Sequence, residues 1–244
     1  MLQNRTVRIV LALIVLAALA GAAAFLYIWF SGGSGQPSAP ISAPTLPADA
    51  SASDARTLLR IVPEESAVRF IINETLFGAP TTVVGETNQV AGDLLVDFSM
   101  PSNSEIGTIR INMATIATDN EFRNRALRGQ ILQSSRPEFE FAEFAPTALT
   151  GLPDTLTIGT PINFQITGNL TVRGVTQEVT FAATVTAASE TRLEGSASAQ
   201  VLYTDFDMTI PNARGVADVT EEVQLEIDFV AAVVTADTQA TPSG

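Results

Sequence analysis

The stretch EEVQLEIDFV, residues 221–230, is the part of this sequence that most directly indicates a fold. Apolar and polar side chains alternate from residue 222 to residue 229: Val223, Leu225, Ile227 and Phe229 against Glu222, Gln224, Glu226 and Asp228. Successive side chains of a β-strand point to opposite faces, so this alternation predicts a strand with one buried side and one solvent-facing side.

The same period of two recurs along much of the chain. It is found at residues 67–73, 93–98, 108–113, 138–141, 161–174 and 177–185. Gly174 ends the run 161–174, at the connection to the last run, where it can adopt the positive φ of a tight hairpin turn. About eight such strands with polar outer faces predict an all-β protein, built as an antiparallel barrel or sandwich.

One segment between the strands, TDNEFRNRALRG at residues 118–129, has helical signals instead. Thr118 and Glu121 have the spacing of a capping box, and Gly129 can end a helix in the left-handed conformation. Phe122 and Ala126 are four residues apart and share one helix face. We therefore expect a short amphipathic helix here that forms a lid over one end of the barrel.

Charge and composition exclude several classes of function. The net charge is -13, which disfavours nucleic acid as a partner because phosphates are repelled. The chain has no Lys, His or Cys, so Ser-His or Cys-His nucleophiles, Schiff bases and the usual nitrogen and sulfur ligands of zinc or haem are lacking. We expect no cofactor and no metal, and only a carboxylate mechanism would be open to an enzyme.

The N-terminus predicts a membrane anchor. The run from Ile9 to Phe30 carries no charge, and at ~1.5 Å per residue it is long enough to cross the ~30 Å hydrocarbon layer. Arg5 and Arg8 precede it, so the positive-inside rule places the N-terminus in the cytoplasm and the rest outside, in the periplasm or at the cell surface. A cleaved signal peptide is the alternative, since ALA at 18–20 resembles a cleavage site.

Composition also sets the expected domain boundaries. Residues 1–30 are a cytoplasmic stub and transmembrane anchor, and residues 31–57, rich in Gly, Ser, Pro and Ala, predict a flexible or extended linker. Residues 58–234 have a normal size for one β-domain. Residues 235–244 predict a disordered tail.

Several motifs in this order carry a family resemblance. They are TDNEFRNRALRG (118–129), RPEFEF (136–141), GNLTVRGVTQEVTF (168–181), TDFDM (204–208) and EEVQLEIDFVA (221–231). Over residues 58–232 the chain resembles the YceI-like family of exported lipid-binding proteins. Its helical stretch is similar to the family's T-x-N-x-x-R-D-x-H-L motif, which Asn120, Arg123 and Leu127 match. The aspartate and histidine of that motif are Asn124 and Ala126 here.

The resemblance implies an extended lipocalin-like barrel with a long apolar cavity for a polyisoprenoid-like chain, and no enzymatic reaction or general cofactor. The phenylalanines expected at inward positions either line this cavity or fill a core; they are Phe70, Phe98, Phe139, Phe141, Phe164, Phe181, Phe206 and Phe229. Asn120, Arg123 and Leu127 are candidate lid or headgroup residues. The expected function is a membrane-tethered carrier that transports, stores or protects one lipid; the oligomeric state stays open.

Two alternatives remain at this stage. A β-sandwich with a packed core could be presented on a membrane stalk as a structural or adhesive module without a ligand. A carboxylate-dependent hydrolase is the other, because Glu138 and Glu140 lie two residues apart, about 7 Å along a strand. Their alternation with phenylalanines places both on the expected solvent face, which disfavours catalysis.

Overall fold

A computed structural model describes residues 2–46 and 56–233 and has one antiparallel sheet that curls into a half-barrel. The strands are β1 Thr57–Ile61, β2 Ala67–Leu76, β3 Ala79–Thr87, β4 Val90–Ala91, β5 Asp93–Val96, β6 Glu105–Ile106, β7 Ile109–Asn112, β8 Phe141–Thr150, β9 Pro161–Val172, β10 Val175–Ser189, β11 Arg192–Leu202, β12 Val216–Ala217 and β13 Glu222–Val233. The α-helices are α1 Leu2–Ser31 and α2 Glu121–Ala126. The expected tail, 235–244, lies outside the described residues.

Strand β13, which contains the stretch that indicated the fold, is central to the sheet. It pairs with β11 along its whole length, and its other edge is shared by β2 near the start and β1 near the end. Val223 is buried while its neighbours Glu222 and Gln224 are exposed. The predicted alternation and the all-β, antiparallel lipocalin-like fold class are therefore confirmed.

The predicted hairpin between β9 and β10 is also confirmed. Val172 pairs with Val175, so the connection consists of two residues, Arg173 and Gly174. Both have positive φ, 54° and 79°. Two consecutive left-handed residues form the turn whose twist matches that of antiparallel strands, and Gly174 takes one of these positions without a Cβ penalty.

The long strands define two ends of the barrel. The far end contains β1, β5 and the end of the β10–β11 hairpin, and its core includes Leu59, Val90 and Ala231, each 0% exposed. The lid end contains α2, the β2–β3 hairpin tip and residues 203–214, over a second cluster that includes Leu127 and Phe206. A small third cluster around Ile72 and Val223 lies beside it.

The lid helix differs in detail from the prediction. It begins two residues later than the capping box suggests, because Asn120, not Thr118, is the N-cap: its Oδ1 accepts a hydrogen bond from the Arg123 amide at 3.0 Å. It also continues through Gly129 as a π-helical turn, Leu127–Ile131. The left-handed residue that follows is Gln133, with φ 53°.

The prediction of a strand at 138–141 is wrong, and so is the assignment of its inward-facing positions. Pro137–Phe139 forms a 3₁₀ turn, and β8 begins only at Phe141. In β8 it is Ala142 and Phe144 that are buried, so Phe141 falls on the outer face. Glu140, expected on the solvent face, is instead buried. A turn does not preserve period two, so counting from residue 138 inverts every later position.

Candidate functional site

The half-barrel encloses a cavity of about 790 Å³. Its wall consists mainly of aliphatic and aromatic side chains from both ends of the barrel, and few polar groups reach it. Concave, mostly apolar sites of ~300–1,000 Å³ are typical of ligand pockets, and sparse polar groups in such sites fix orientation. The cavity is thus suited to an apolar ligand of moderate size.

Five of the eight phenylalanines expected to face inward line this cavity: Phe70, Phe164, Phe181, Phe206 and Phe229. They come from four strands and the turn after β11, so the fold brings together residues far apart in sequence. Phe181 packs edge-on against Phe144, with ring centroids 5.0 Å apart. These five form an aromatic part of the cavity wall.

The other three expected residues, Phe98, Phe139 and Phe141, are not in the cavity wall. Phe98 lies beyond the end of β5 and packs against the far-end core. Phe139 is in the 3₁₀ turn, where the Arg136 guanidinium lies 4.9 Å from its ring centroid. Phe141 points outward beneath Arg110, at 5.2 Å.

Two rings of the cavity wall, those of Phe70 and Phe229, lie over glycines of neighbouring strands. Phe70 is paired across the strands with Gly85, and a Cβ on Gly85 would lie 2.1 Å from the Phe70 ring. Gly195 has the same relation to Phe229 in the adjacent strand pair, at 3.1 Å. A glycine in a strand permits this close approach of a ring to the backbone. These two rings therefore cover the sheet instead of filling the cavity.

The three candidate lid residues all line the cavity. Leu127 is buried in the lid-end core. Arg123 donates from Nη2 to Glu74 at 2.9 Å and from Nη1 to Asp119 at 2.7 Å. The Glu74 side chain, itself in the cavity wall, is only 9% exposed. Arg123 is thus held between two carboxylates and carries no uncompensated charge.

The two departures from the motif have distinct structural roles. Asn124 is buried, and its Oδ1 accepts hydrogen bonds from the amide and the hydroxyl of Thr118 at 2.7 and 2.8 Å. It therefore fastens α2 to the chain before it. Ala126, where the motif has histidine, lines the cavity, which makes that position small and apolar here.

Four cavity-lining phenylalanines were not expected from the sequence: Phe25, Phe77, Phe122 and Phe144. Phe144 belongs to the alternation of β8 in which Ala142 is also buried. Counting forward from Glu138 concealed this alternation, because it assigned the opposite positions to the inner face. Phe122 was assigned to the lid helix but not to the cavity. Phe25 and Phe77 lie in the apolar N-terminal run and at a hairpin tip, where no pattern signals a cavity.

The first part of the expected linker, up to residue 46, lies against the barrel. Glu140 accepts hydrogen bonds from the Ser38 amide at 3.0 Å, the Ser38 hydroxyl at 2.7 Å and the Asn112 amide group at 3.0 Å. Burial raises the pKa of the Glu140 carboxyl, but these hydrogen bonds outweigh it and leave the pKa below its ordinary value. A charged Glu140 therefore holds this part of the linker in place.

Neither carboxylate of the hydrolase alternative lines the cavity. Glu138 is exposed and paired with Arg136 at 2.6 Å, while Glu140 is committed to Ser38 and Asn112. Within residues 2–46 and 56–233, no three acidic side chains come together in an arrangement that could hold a metal ion. Glu138 and Glu140 thus make structural contacts outside the cavity wall.

One described helix is long and apolar enough to cross a membrane, Ile9–Ser31. Length and composition alone do not distinguish an anchor from a signal sequence.

Comparisons with known proteins agree with this geometry. No curated protein matches the sequence. Among solved structures, BcnA from Burkholderia cenocepacia superposes with a TM-score of 0.55 at 17% identity, covering 70% of this chain and 99% of that one. A polyisoprenoid binding domain from Saccharophagus degradans, implicated in plant cell wall breakdown, gives 0.56 at 12% identity, covering 73% and 99%. These likenesses concern the fold.

The family model of the YceI-like domain matches residues 59–231, nearly the whole of the described barrel. That match includes every motif on which the resemblance rested, from the lid helix to β13. The chain therefore belongs to the family of proteins with a YceI-like domain.

Proposed function

We propose that this protein holds one long apolar chain, of the polyisoprenoid kind, in its barrel for transport, storage or protection. The observation that carries the proposal is the apolar cavity of about 790 Å³ that the curled sheet encloses. Each CH₂ group withdrawn from water contributes about 0.8 kcal/mol, so an apolar chain supplies its own driving force. The polyisoprenoid binding domain with the same fold supports this ligand class.

The proposed site residues follow from the cavity wall. Phe70, Phe164, Phe181, Phe206 and Phe229 contact the chain, and Leu127 contacts it from the lid. Asn120 and Arg123, polar residues of the lid that line the cavity, contact the headgroup in this proposal. Phe98, Phe139 and Phe141 are left out because they do not reach the cavity.

The proposal includes retention at the membrane. The helix Ile9–Ser31 anchors the chain, with the barrel on the extracytoplasmic side, because Arg5 and Arg8 favour a cytoplasmic N-terminus. The proposed function is binding: neither Glu138 nor Glu140 lines the cavity, and Glu74, which does, is paired with Arg123. A packed sandwich without a ligand is disfavoured, since a single curled sheet surrounds open space.

Lipid extracted from the purified full chain tests the proposal. We expect mass spectrometry to find a long isoprenoid-type lipid in wild type and in Gln224→Glu, an exposed change on β13. Leu225→Glu, one residue further and in the cavity wall, should lose it, because an unpaired charge in an apolar site is costly. Identical lipid profiles for both variants would show that the lipid is carried by the membrane helix and not by the cavity.

A further inference from the structure

The outer part of α1 forms part of the cavity wall. Gly21, Ala24, Phe25 and Ile28 all line the cavity. Their spacing of three, one and three residues places them on one face of the helix. The segment expected to lie in the membrane thus also lies over the lid end of the barrel.

Specific contacts hold α1 on the lid. The Phe25 and Phe122 rings stack with centroids 5.7 Å apart and planes 12° apart. The Arg125 guanidinium lies 3.8 Å from the Trp29 ring centroid and donates to the Trp29 carbonyl at 2.6 Å. The last carbonyls of a helix lack partners within the helix, so Arg125 satisfies one of them. This pairing of α1 with the lid is built from aromatic, cation–π and hydrogen-bond contacts.

The fit between these elements is close. Arg128, buried in the lid, donates from Nε to the Gly32 carbonyl at 2.6 Å. A Cβ on Gly32 would lie 2.6 Å from the Arg125 Cα, and a Cβ on Gly129 would lie 2.6 Å from the Ser31 Oγ. Glycine on both sides of the contact is what allows the chains to approach this far. Gly129 is therefore explained by the crossing of α1 and not by a helix end.

The lid end also exposes an aromatic ring beside one arginine. Phe77, at the β2–β3 hairpin tip, is 79% exposed, and its amide donates to the Gly215 carbonyl at 2.6 Å. Its neighbour across this contact, Arg214, is exposed, and no described residue forms an ion pair with it. Both residues line the cavity. Aromatic rings beside arginines that keep their charge in water are typical of membrane–water interfaces.

Helix length sets the position of the lid end relative to a bilayer. From Ile9 to Gly21 the helix rises only about 18 Å, less than the ~30 Å of the hydrocarbon layer. A crossing helix must therefore keep the segment beyond Gly21, which is the segment that lines the cavity, at the level of the outer leaflet. The cavity then meets lipid and not bulk water.

We propose that the lid end of the barrel docks onto the outer surface of the bilayer that α1 crosses, and that lipid passes between bilayer and cavity along α1. This inference rests on the proposed function, since it names where the bound lipid comes from. Phe77 inserts at the interface, and the contact between Phe25 and Phe122 is the point that opens. The route spares an apolar chain any passage through water.

Docking can be tested separately from lipid binding. The chain has no cysteine, so a single introduced cysteine can carry a fluorescent label. In the full chain in phosphatidylcholine vesicles, a fluorophore on Phe77→Cys should be quenched at least threefold more by shallow doxyl-labelled lipid than one on Ile158→Cys. Ile158 is an exposed apolar residue in the turn before β9 and provides the matched control. Equal quenching at the two positions would overturn docking even if lipid is retained in the cavity.

The route is tested by a reversible lock. A reductively cleavable bismaleimide joining Phe25→Cys and Phe122→Cys should slow loading of a radiolabelled polyprenol from the vesicles at least tenfold, and reduction should restore it. Unchanged loading in the locked protein would overturn the route along α1. Quenching at residue 77 in a chain that carries no lipid would instead refute the carrier function while supporting docking. A mature chain that begins after residue 31 would overturn the inference.

Discussion

The far end and the lid end of the barrel close the same cavity by different means. At the far end, β1 pairs with both β13 and β5, and residues such as Leu59 and Ala231 are completely buried. At the lid end, closure depends on side chains from separate segments: Arg123 with Glu74, Phe25 with Phe122, and Arg128 with Gly32. A backbone ladder opens only when the sheet unfolds, whereas side-chain contacts break singly. The far end is thus suited to holding the fold and the lid end to exchange.

The largest effect is expected at the far end. Leu59→Ala removes a fully buried side chain from the first core cluster, which should lower the free energy of unfolding by about 2–5 kcal/mol. Chemical denaturation measures this. Val84→Ala, an exposed position on β3, is the control and should change stability by less than about 0.5 kcal/mol. If the two variants lose similar stability, the far end is not the better packed region.

A substitution in the cavity wall between the two ends should change the amount of lipid that the cavity holds more than the contacts that close its ends. Gly85→Ala drives a methyl group against the Phe70 ring, which must turn into the cavity, at a cost of about 1–3 kcal/mol for overpacking. We expect less lipid per protein in extracts of this variant. Adding Phe70→Leu should restore the lipid, since the smaller side chain leaves room. Failure of that rescue would mean that Gly85 matters for a reason other than the ring.

At the lid end, Arg123→Ala should change headgroup selectivity. It leaves the carboxylates of Glu74 and Asp119 without their common partner. The uncompensated negative charge should weaken the binding of a phosphorylated polyprenol by about 1–3 kcal/mol and the binding of the uncharged alcohol much less. Competition binding with the two lipids measures the difference.

Two further variants check the charge argument for Arg123. Adding Glu74→Gln should recover part of the affinity for the phosphorylated lipid. Arg136→Ala breaks an exposed ion pair with Glu138 that contributes about 0–1 kcal/mol to stability, and it should not alter headgroup selectivity. Equal losses for both lipids in Arg123→Ala would make it a residue that positions the lid.

The smallest effect is expected where the linker meets the barrel, and it depends on pH. Because the pKa of Glu140 is lower in the folded protein, its contribution to stability is present above the ordinary carboxyl pKa of about 4 and is lost as pH falls through the folded value. Limited proteolysis near Ser38 should therefore accelerate below about pH 4 in wild type. Glu140→Gln should be cleaved faster at neutral pH and lack this acid-induced step; a step of the same size in both would assign it to another group.

Residues on regular strands could be assigned correctly from the sequence alone. The alternation of Val223, Leu225 and Ile227 places these side chains on the inner face of β13, and Gly174 forms the predicted turn. Four of the expected phenylalanines, those on strands, line the cavity for the same reason: Phe70, Phe164, Phe181 and Phe229. Each such position depends only on neighbours a few residues away, because a strand fixes the direction of every side chain by its parity.

Residues beside irregular segments could not be assigned in this way. The 3₁₀ turn at Pro137–Phe139 inverted the inward and outward positions of Glu140 and Phe141. Leu127 and Arg123 were identified through a motif, but the motif does not disclose that Glu74, far away in β2, neutralises Arg123. Pairing of this kind is decided by how the sheet curls.

The sequence by itself determined the all-β class, the apolar N-terminal helix and the family motifs, because periodicity, hydropathy and turn residues are local properties. Only the tertiary structure decided that open space remains between the walls, since Phe70 can lie flat only where the sheet places Gly85 opposite it. It likewise decided that Phe25, in a run read as membrane anchor, stacks on Phe122 and lines the cavity. The free energy of such contacts depends on distances between segments remote in the chain, which no local pattern specifies.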